Sequence, residues 1–136
     1  MIYGIAMYHK DFINEKRVFY KTISRCYCPA LKKEIIFNAQ GFRHLRYDGL
    51  GHARNIAEQI SRMKLLDLLV PAIKNAQTIF EYRAPTKEDR SGGTVEYWAL
   101  HEIVGGQAIS VILKKCGDGN VVFHSVWKIK SKKPSR

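Results

Sequence analysis

The sequence predicts an α+β fold, with N-terminal helices packed on one face of a four-stranded antiparallel β-meander. Three observations carry this expectation. Ile56, Ile60 and Met63 recur at i, i+4 and i+7 within His52–Asp67, an apolar stripe of helical period. From Thr78 onward apolar residues alternate with polar ones, the period of a strand buried on one side. Gly105-Gly106 and Gly117-Asp118-Gly119 then punctuate that alternation with residues suited to tight hairpin turns.

Taken in order, Lys10–Ser24 has Phe12, Val18 and Phe19 partly on one side and reads as a weak helix that ends before Pro29. Glu34–Phe37 reads as a short strand, with Ile35–Phe37 able to extend the sheet. Asn38 is a competent N-cap for a helix over Ala39–Arg46, in which Phe42 and Leu45 share a face while Arg43 and His44 point elsewhere. Gly49 and Gly51 form a turn into the His52–Asp67 helix, where Arg54, Glu58 and Arg62 run along a second face and Arg54 sits near the N-terminus. Pro71 is expected to kink that helix or open another ending near Ala76. The four strands are Thr78–Arg83, Thr94–Ile103, Gln107–Lys115 and Asn120–Lys130, with a longer connection around Pro85–Gly93. Ile109, Val111 and Leu113 alternate against Ser110 and Lys114; Val121, Phe123, Trp127 and Ile129 alternate against His124, Lys128 and Lys130. One sheet face therefore packs on the helices, and the other is open and basic.

The 136 residues read as one domain, with a weakly patterned segment 1–34, a core 35–130 and a basic tail 131–136. At 46% hydrophobic residues the chain can bury a core without cross-links. Three cysteines, an odd number, argue against a disulfide framework, and neither a signal peptide nor a membrane-spanning run is evident, so a cytoplasmic location is expected. Cys26-x-Cys28 suggests zinc, with His9 or His44 as further ligands, but a second ligand pair at zinc-like spacing is missing. The expectation is two reduced thiols, no metal and no cofactor. Lys and Arg outnumber Asp and Glu by 23 to 12, giving a formal net charge of +11 and pI of about 9.7. That balance points to an anionic partner, RNA foremost.

The polar groups available to such a partner are Arg43, His44, Arg46 and Arg54 from the helical half, with Tyr97 or His101, Lys114, His124 and Lys128 from the sheet. The sequence has no glycine-rich phosphate loop before a helix and no Gly-x-Ser-x-Gly elbow. Cleavage of RNA needs neither. A ribose 2′-OH attacks the adjacent phosphorus if one group takes its proton, another protonates the leaving oxygen, and cations stabilise the charge between them. Histidine titrates in the range this requires.

Gly41-Phe42-Arg43-His44-Leu45, the downstream Arg54…Glu58…Arg62 helix and the terminal Val122-Phe123-His124-Ser125-Val126 strand, in this order, resemble the barnase–EndoU–colicin–RelE-like nuclease superfamily and its phage- and mobile-element-associated branch. The resemblance spans roughly Ile35 to Lys130. It implies a microbial-RNase/RelE-like fold and a metal-independent endoribonuclease of toxin type. It also implies a tRNA or mRNA substrate, a cognate antitoxin or immunity protein, and no membrane partner. By position His44 is the helical histidine, Ser125 the hydroxyl of the last strand, and Arg46 and Arg54 phosphate ligands, with His124 a further catalytic candidate. Arg43, Arg62, Tyr97, Lys114 and Lys128 are then substrate-binding candidates, and Tyr97 or Phe42 a base-stacking surface. Two departures stand out. No acid occupies the general-base position of barnase-like members unless Glu96 or Glu102 serves. His124 and Ser125 are adjacent, so a regular strand points them to opposite faces and only a β-bulge brings both into one site. Two rival readings keep the basic face without catalysis: a nucleic-acid-binding module, and an interaction protein meeting an acidic partner.

Overall fold

The computed structural model describes residues 2–86 and 93–130, with side chains from His9 to Ala84 and from Gly93 to Lys130. The basic tail 131–136 and most of the connection expected around Pro85–Gly93 lie outside the described residues. The fold is α+β. Its helices are α1 (Ile2–Lys21), α2 (Ala39–Arg46), α3 (Ile56–Met63) and α4 (Leu66–Asn75). Its strands are β1 (Arg25–Cys28), β2 (Lys33–Ile36), β3 (Glu81–Thr86), β4 (Val95–Val104), β5 (Gln107–Cys116) and β6 (Val121–Lys128).

The sheet corrects the expected architecture. It has six strands in the order β1-β2-β6-β5-β4-β3 and is mixed, not a four-stranded antiparallel meander. The meander β3–β6 is present, but β2 joins β6 in parallel and β1 closes the hairpin with β2. Four-residue strands hold too few positions to display a period, which is why Arg25–Cys28 carries no legible signal. The β2–β6 pairing is confined to Ile35–Val121 and Ile36–Val122. Beyond it, β6 runs on as an edge, and α2 and α3 pack there in place of another strand.

Ile109, Val111 and Leu113 are fully buried on the helix side, joined by Leu100, Phe123 and Val126 from neighbouring strands and by Met63, Leu66, Leu69 and Ile73 from the helices. The helix expected over His52–Asp67 is shorter and is followed at once by another. Asn55 caps α3 by accepting from Glu58 N at 2.8 Å, and α4 begins before Pro71, which lies inside it. Ile56, expected in the core stripe, is 49% exposed, because it opens the helix next to the cap while Met63 closes it in the core. At α2, Asn38 caps Gly41 N and its carbonyl accepts from the Tyr20 hydroxyl at 2.6 Å. Tyr20 packs with Phe37, Phe42 and Phe123, so α1 clamps the start of the helix that carries His44. Among the described residues no helix is long and apolar enough to cross a membrane.

Candidate active site

Register in β6 decides what the open face presents. Leu113 pairs with Phe123 and Ile112 with Ser125, so His124 is the extra residue of a β-bulge. Phe123 and Val126 stay in the core while His124 and Ser125 both reach the opposite face. The bulge also inverts the phase downstream. Trp127, expected among the core residues, pairs with Ser110 and is 39% exposed on the open face. Lys128 pairs with Ile109 and turns away, so this expected substrate-binding residue does not line the site.

A cleft of about 440 Å³ opens on that face. Its centre is a pair of imidazoles, His44 from α2 and His124 from the bulge, with ring centroids 4.2 Å apart. Tyr97 stands edge-on to His124 at 5.4 Å, and Lys114 Nζ lies 5.9 Å from the Tyr97 ring centroid. Arg54 donates through Nε to the His44 carbonyl at 3.0 Å. It precedes the Asn55 cap instead of lying within the helix, and a β-bridge between Tyr47 and Ala53 folds its segment back beside α2. Buried Gln59 secures that arrangement, donating to Arg54 O at 2.7 Å and accepting from Arg46 Nε at 3.4 Å. Arg62 donates to Ser125 Oγ at 3.0 Å and to Val126 O at 3.3 Å, satisfying an edge carbonyl of β6. Its Nε pairs with Glu58 at 3.0 Å, and its guanidinium lies 5.8 Å from the Trp127 ring centroid.

Burial and the nearby cations hold both histidines neutral. Burial first, then the charges of Lys114, Arg54 and Arg43, lowers the His44 pKa below its ordinary 6.5. Burial, then His44, Lys114 and Arg54, takes His124 down to about 3. A site that resists protonation in this way is one into which an anion fits, since an incoming negative charge relieves the repulsion.

Of the expected site residues, His44, Arg54, Arg62, Tyr97, His124 and Ser125 share this cleft, and Lys114 stands at its margin. Arg43 and Arg46 do not line it. They occupy the other flank of α2, with the Tyr47 ring 4.5 and 5.6 Å from their guanidinium carbons. Phe42 is buried and offers no base-stacking face. Glu96 and Glu102 also lie outside the cleft; Glu96 accepts from Tyr82 and faces Lys115 at 4.0 Å. Among the described residues the carboxylate that does line it is Glu81, paired with Arg83 at 3.4 Å on β3. Register places these two opposite Ala99 and Tyr97, a relation that alternation within one strand does not contain. His101 also lines the cleft, stacked on Phe80 at 3.5 Å.

Cys26 and Cys28 are free and buried, and burial pushes the Cys26 thiol up to about 11, which disfavours the thiolate a metal would need. Among the described residues no group of three or more His, Cys, Asp or Glu side chains converges as a metal site. No family model, curated protein or solved structure matches the chain.

Proposed function

We propose that the protein is an endoribonuclease of toxin type that cleaves RNA by attack of a ribose 2′-OH on the adjacent phosphorus, without a metal. The observation that carries the reading is the histidine pair, 4.2 Å apart, in a cleft edged by Arg54 and Arg62. His124, held neutral at physiological pH, accepts the 2′-OH proton. His44, less strongly shifted, takes up a proton when the phosphodiester enters and delivers it to the leaving 5′ oxygen. Arg54, Arg62 and Lys114 neutralise charge developing on phosphorus, and Tyr97 or Trp127 offers a stacking face for a base. Ser125, already accepting from Arg62, orients that guanidinium. A microbial-RNase/RelE-like arrangement remains part of this proposal, resting on the resemblance of the 41–45 and 122–126 blocks. A cytoplasmic setting and a cognate antitoxin or immunity protein belong to the same reading.

Incubation of the protein with total RNA and tRNA in EDTA, followed by end analysis, tests it. Discrete fragments with 2′,3′-cyclic phosphate ends are expected, with His44→Ala and His124→Ala each slowed about 100- to 10,000-fold. Fragments formed equally well by both variants would remove the pair from the mechanism. The second reading, a nucleic-acid-binding module, is favoured by one observation: among the described residues no group hydrogen-bonds either imidazole to orient it. It predicts intact RNA bound in a salt-sensitive manner.

A further inference from the structure

A second groove, of about 520 Å³, lies across α2 from the histidine cleft. Four cations line it: Arg17 and Lys21 from α1, and Arg43 and Arg46 from α2. Among the described residues none of the four forms an ion pair and no carboxylate lines the groove. Elsewhere Lys16 pairs with Asp67 and Arg62 with Glu58. Four unneutralised cations side by side repel one another, and an anion bound between them removes that repulsion. Two of them have a fixed position. Arg17 donates to Asn14 Oδ1 at 2.8 Å and lies 5.3 Å from the Phe42 ring centroid; Arg46 donates to Gln59.

Helical geometry sets the groove and the cleft on opposite flanks of α2. Successive residues turn by about 100°, so with Phe42 and Leu45 facing the core, His44 lies on one flank of α2 and Arg43 and Arg46 on the other. A chain with a charge at every link, passing over one helix width of about 10 Å, would meet the histidine pair on one side and the four cations on the other. We infer that this groove is an RNA exosite, which holds the phosphodiester backbone of the single strand flanking the bond in the histidine cleft. The inference rests on the ribonuclease reading and adds to it a length requirement: substrates long enough to cross α2 bind more tightly than those that fill the cleft alone.

The test uses the full chain and Arg17→Gln/Lys21→Gln, two substitutions on α1 remote from the cleft that remove charge and leave a polar side chain at each position. Probes are 2′-O-methyl oligouridylates of roughly 16 and roughly 4 nucleotides, bracketing single-strand site sizes, with RNA versions for cleavage. The long probe is expected to bind the variant roughly tenfold more weakly at low salt. Its log-affinity against log-salt slope should flatten by about 1.4, at about 0.7 per phosphate contact on a single strand. The short probe should be unaffected, KM should rise for the long RNA with kcat unchanged, and Arg17→Lys/Lys21→Arg should restore affinity. Equal weakening of long and short probes, or undiminished binding of the long one, would overturn the exosite. So would displacement of the long probe by polyglutamate as readily as by an oligonucleotide of equal charge, which would mark an acidic protein as the occupant. Wild-type protein that neither binds nor cleaves RNA would instead defeat the ribonuclease reading itself, so the two failures are separable.

Discussion

His124 sits where two opposing demands meet. A bulge residue is freed from strict alternation, and this one is turned into a half-buried site already surrounded by Lys114, Arg54 and His44. Its protonation is therefore disfavoured in the folded state, and the consequence for stability has a definite sign. In the unfolded chain the imidazole gains a proton near 6.5; in the folded chain it does so near 3. Between those values the unfolded state binds more protons, so stability falls as pH is lowered through this window. Thermal melts from pH 7 to pH 4 should show that decline, and His124→Gln, which cannot take up the proton, should show a shallower one. His44 is lowered in the same direction and for the same first reason, burial, so it steepens the same slope. Because the two rings interact, pH–rate profiles will report the pair and not one residue. Loss of the acidic limb in one single variant would be informative only beside the other.

At the scale of elements, the critical contact is α2 on β6. A Cβ on Gly41 would lie 2.5 Å from the Tyr20 hydroxyl, 2.7 Å from Phe123 Cδ2 and 2.8 Å from the Phe123 carbonyl oxygen. The last of these is backbone and cannot rotate away. Gly41→Ala would gain about 1 kcal/mol of helix propensity, against overpacking of about 3 kcal/mol. The clash wins, with a net loss of about 2 kcal/mol by denaturant titration. Relief by sliding α2 outward would separate His44 from His124, so cleavage should suffer more than stability. Arg62 ties α3 to the same edge, donating to Ser125 Oγ and Val126 O from a mostly buried side chain. Arg62→Ala leaves an edge carbonyl without that donor and should cost about 2 kcal/mol, most of it from these charge-assisted hydrogen bonds. The exposed end of its pairing with Glu58 adds little, so Glu58→Ala should move the melting temperature much less.

For the whole molecule, the net charge of +11 is unevenly used. Arg54, Arg62 and Arg83 line one cleft and Arg17, Lys21, Arg43 and Arg46 the other groove, with Glu81 the one carboxylate lining either among the described residues. Binding of a long single strand should therefore be strongly salt-dependent, with a log–log slope between about −2 and −4 if three to five phosphates are neutralised. A slope near zero in titrations from low to physiological salt would mean that the charge serves something other than nucleic acid.

Much of this was legible from residue order alone, because it depends on local chemistry. The Asn38 cap, the α2 helix with Phe42 and Leu45 inward, the glycine turns and the inward alternation of Ile109, Val111 and Leu113 each follow from a few neighbouring residues. Gly105 and Gly106 both adopt positive φ, as their hairpin turn requires. His44, Arg54, Arg62, Tyr97, His124 and Ser125 were likewise nameable, by residue type and by resemblance. Non-local pairing decided the rest. The parallel β2–β6 contact joins segments about 85 residues apart through only two residue pairs, and two pairs leave no periodic trace. The bulge at His124 depends on what β5 places opposite, so it alone determined that His124 and Ser125 share a face, that Trp127 leaves the core and that Lys128 leaves the site. Arg43 and Arg46, three residues apart, were separated from His44 by which side of α2 the core claimed. Sequence determined which groups exist and what each can do chemically; the sheet register and helix docking determined which of them meet, since register is an energy shared between strands and belongs to neither alone.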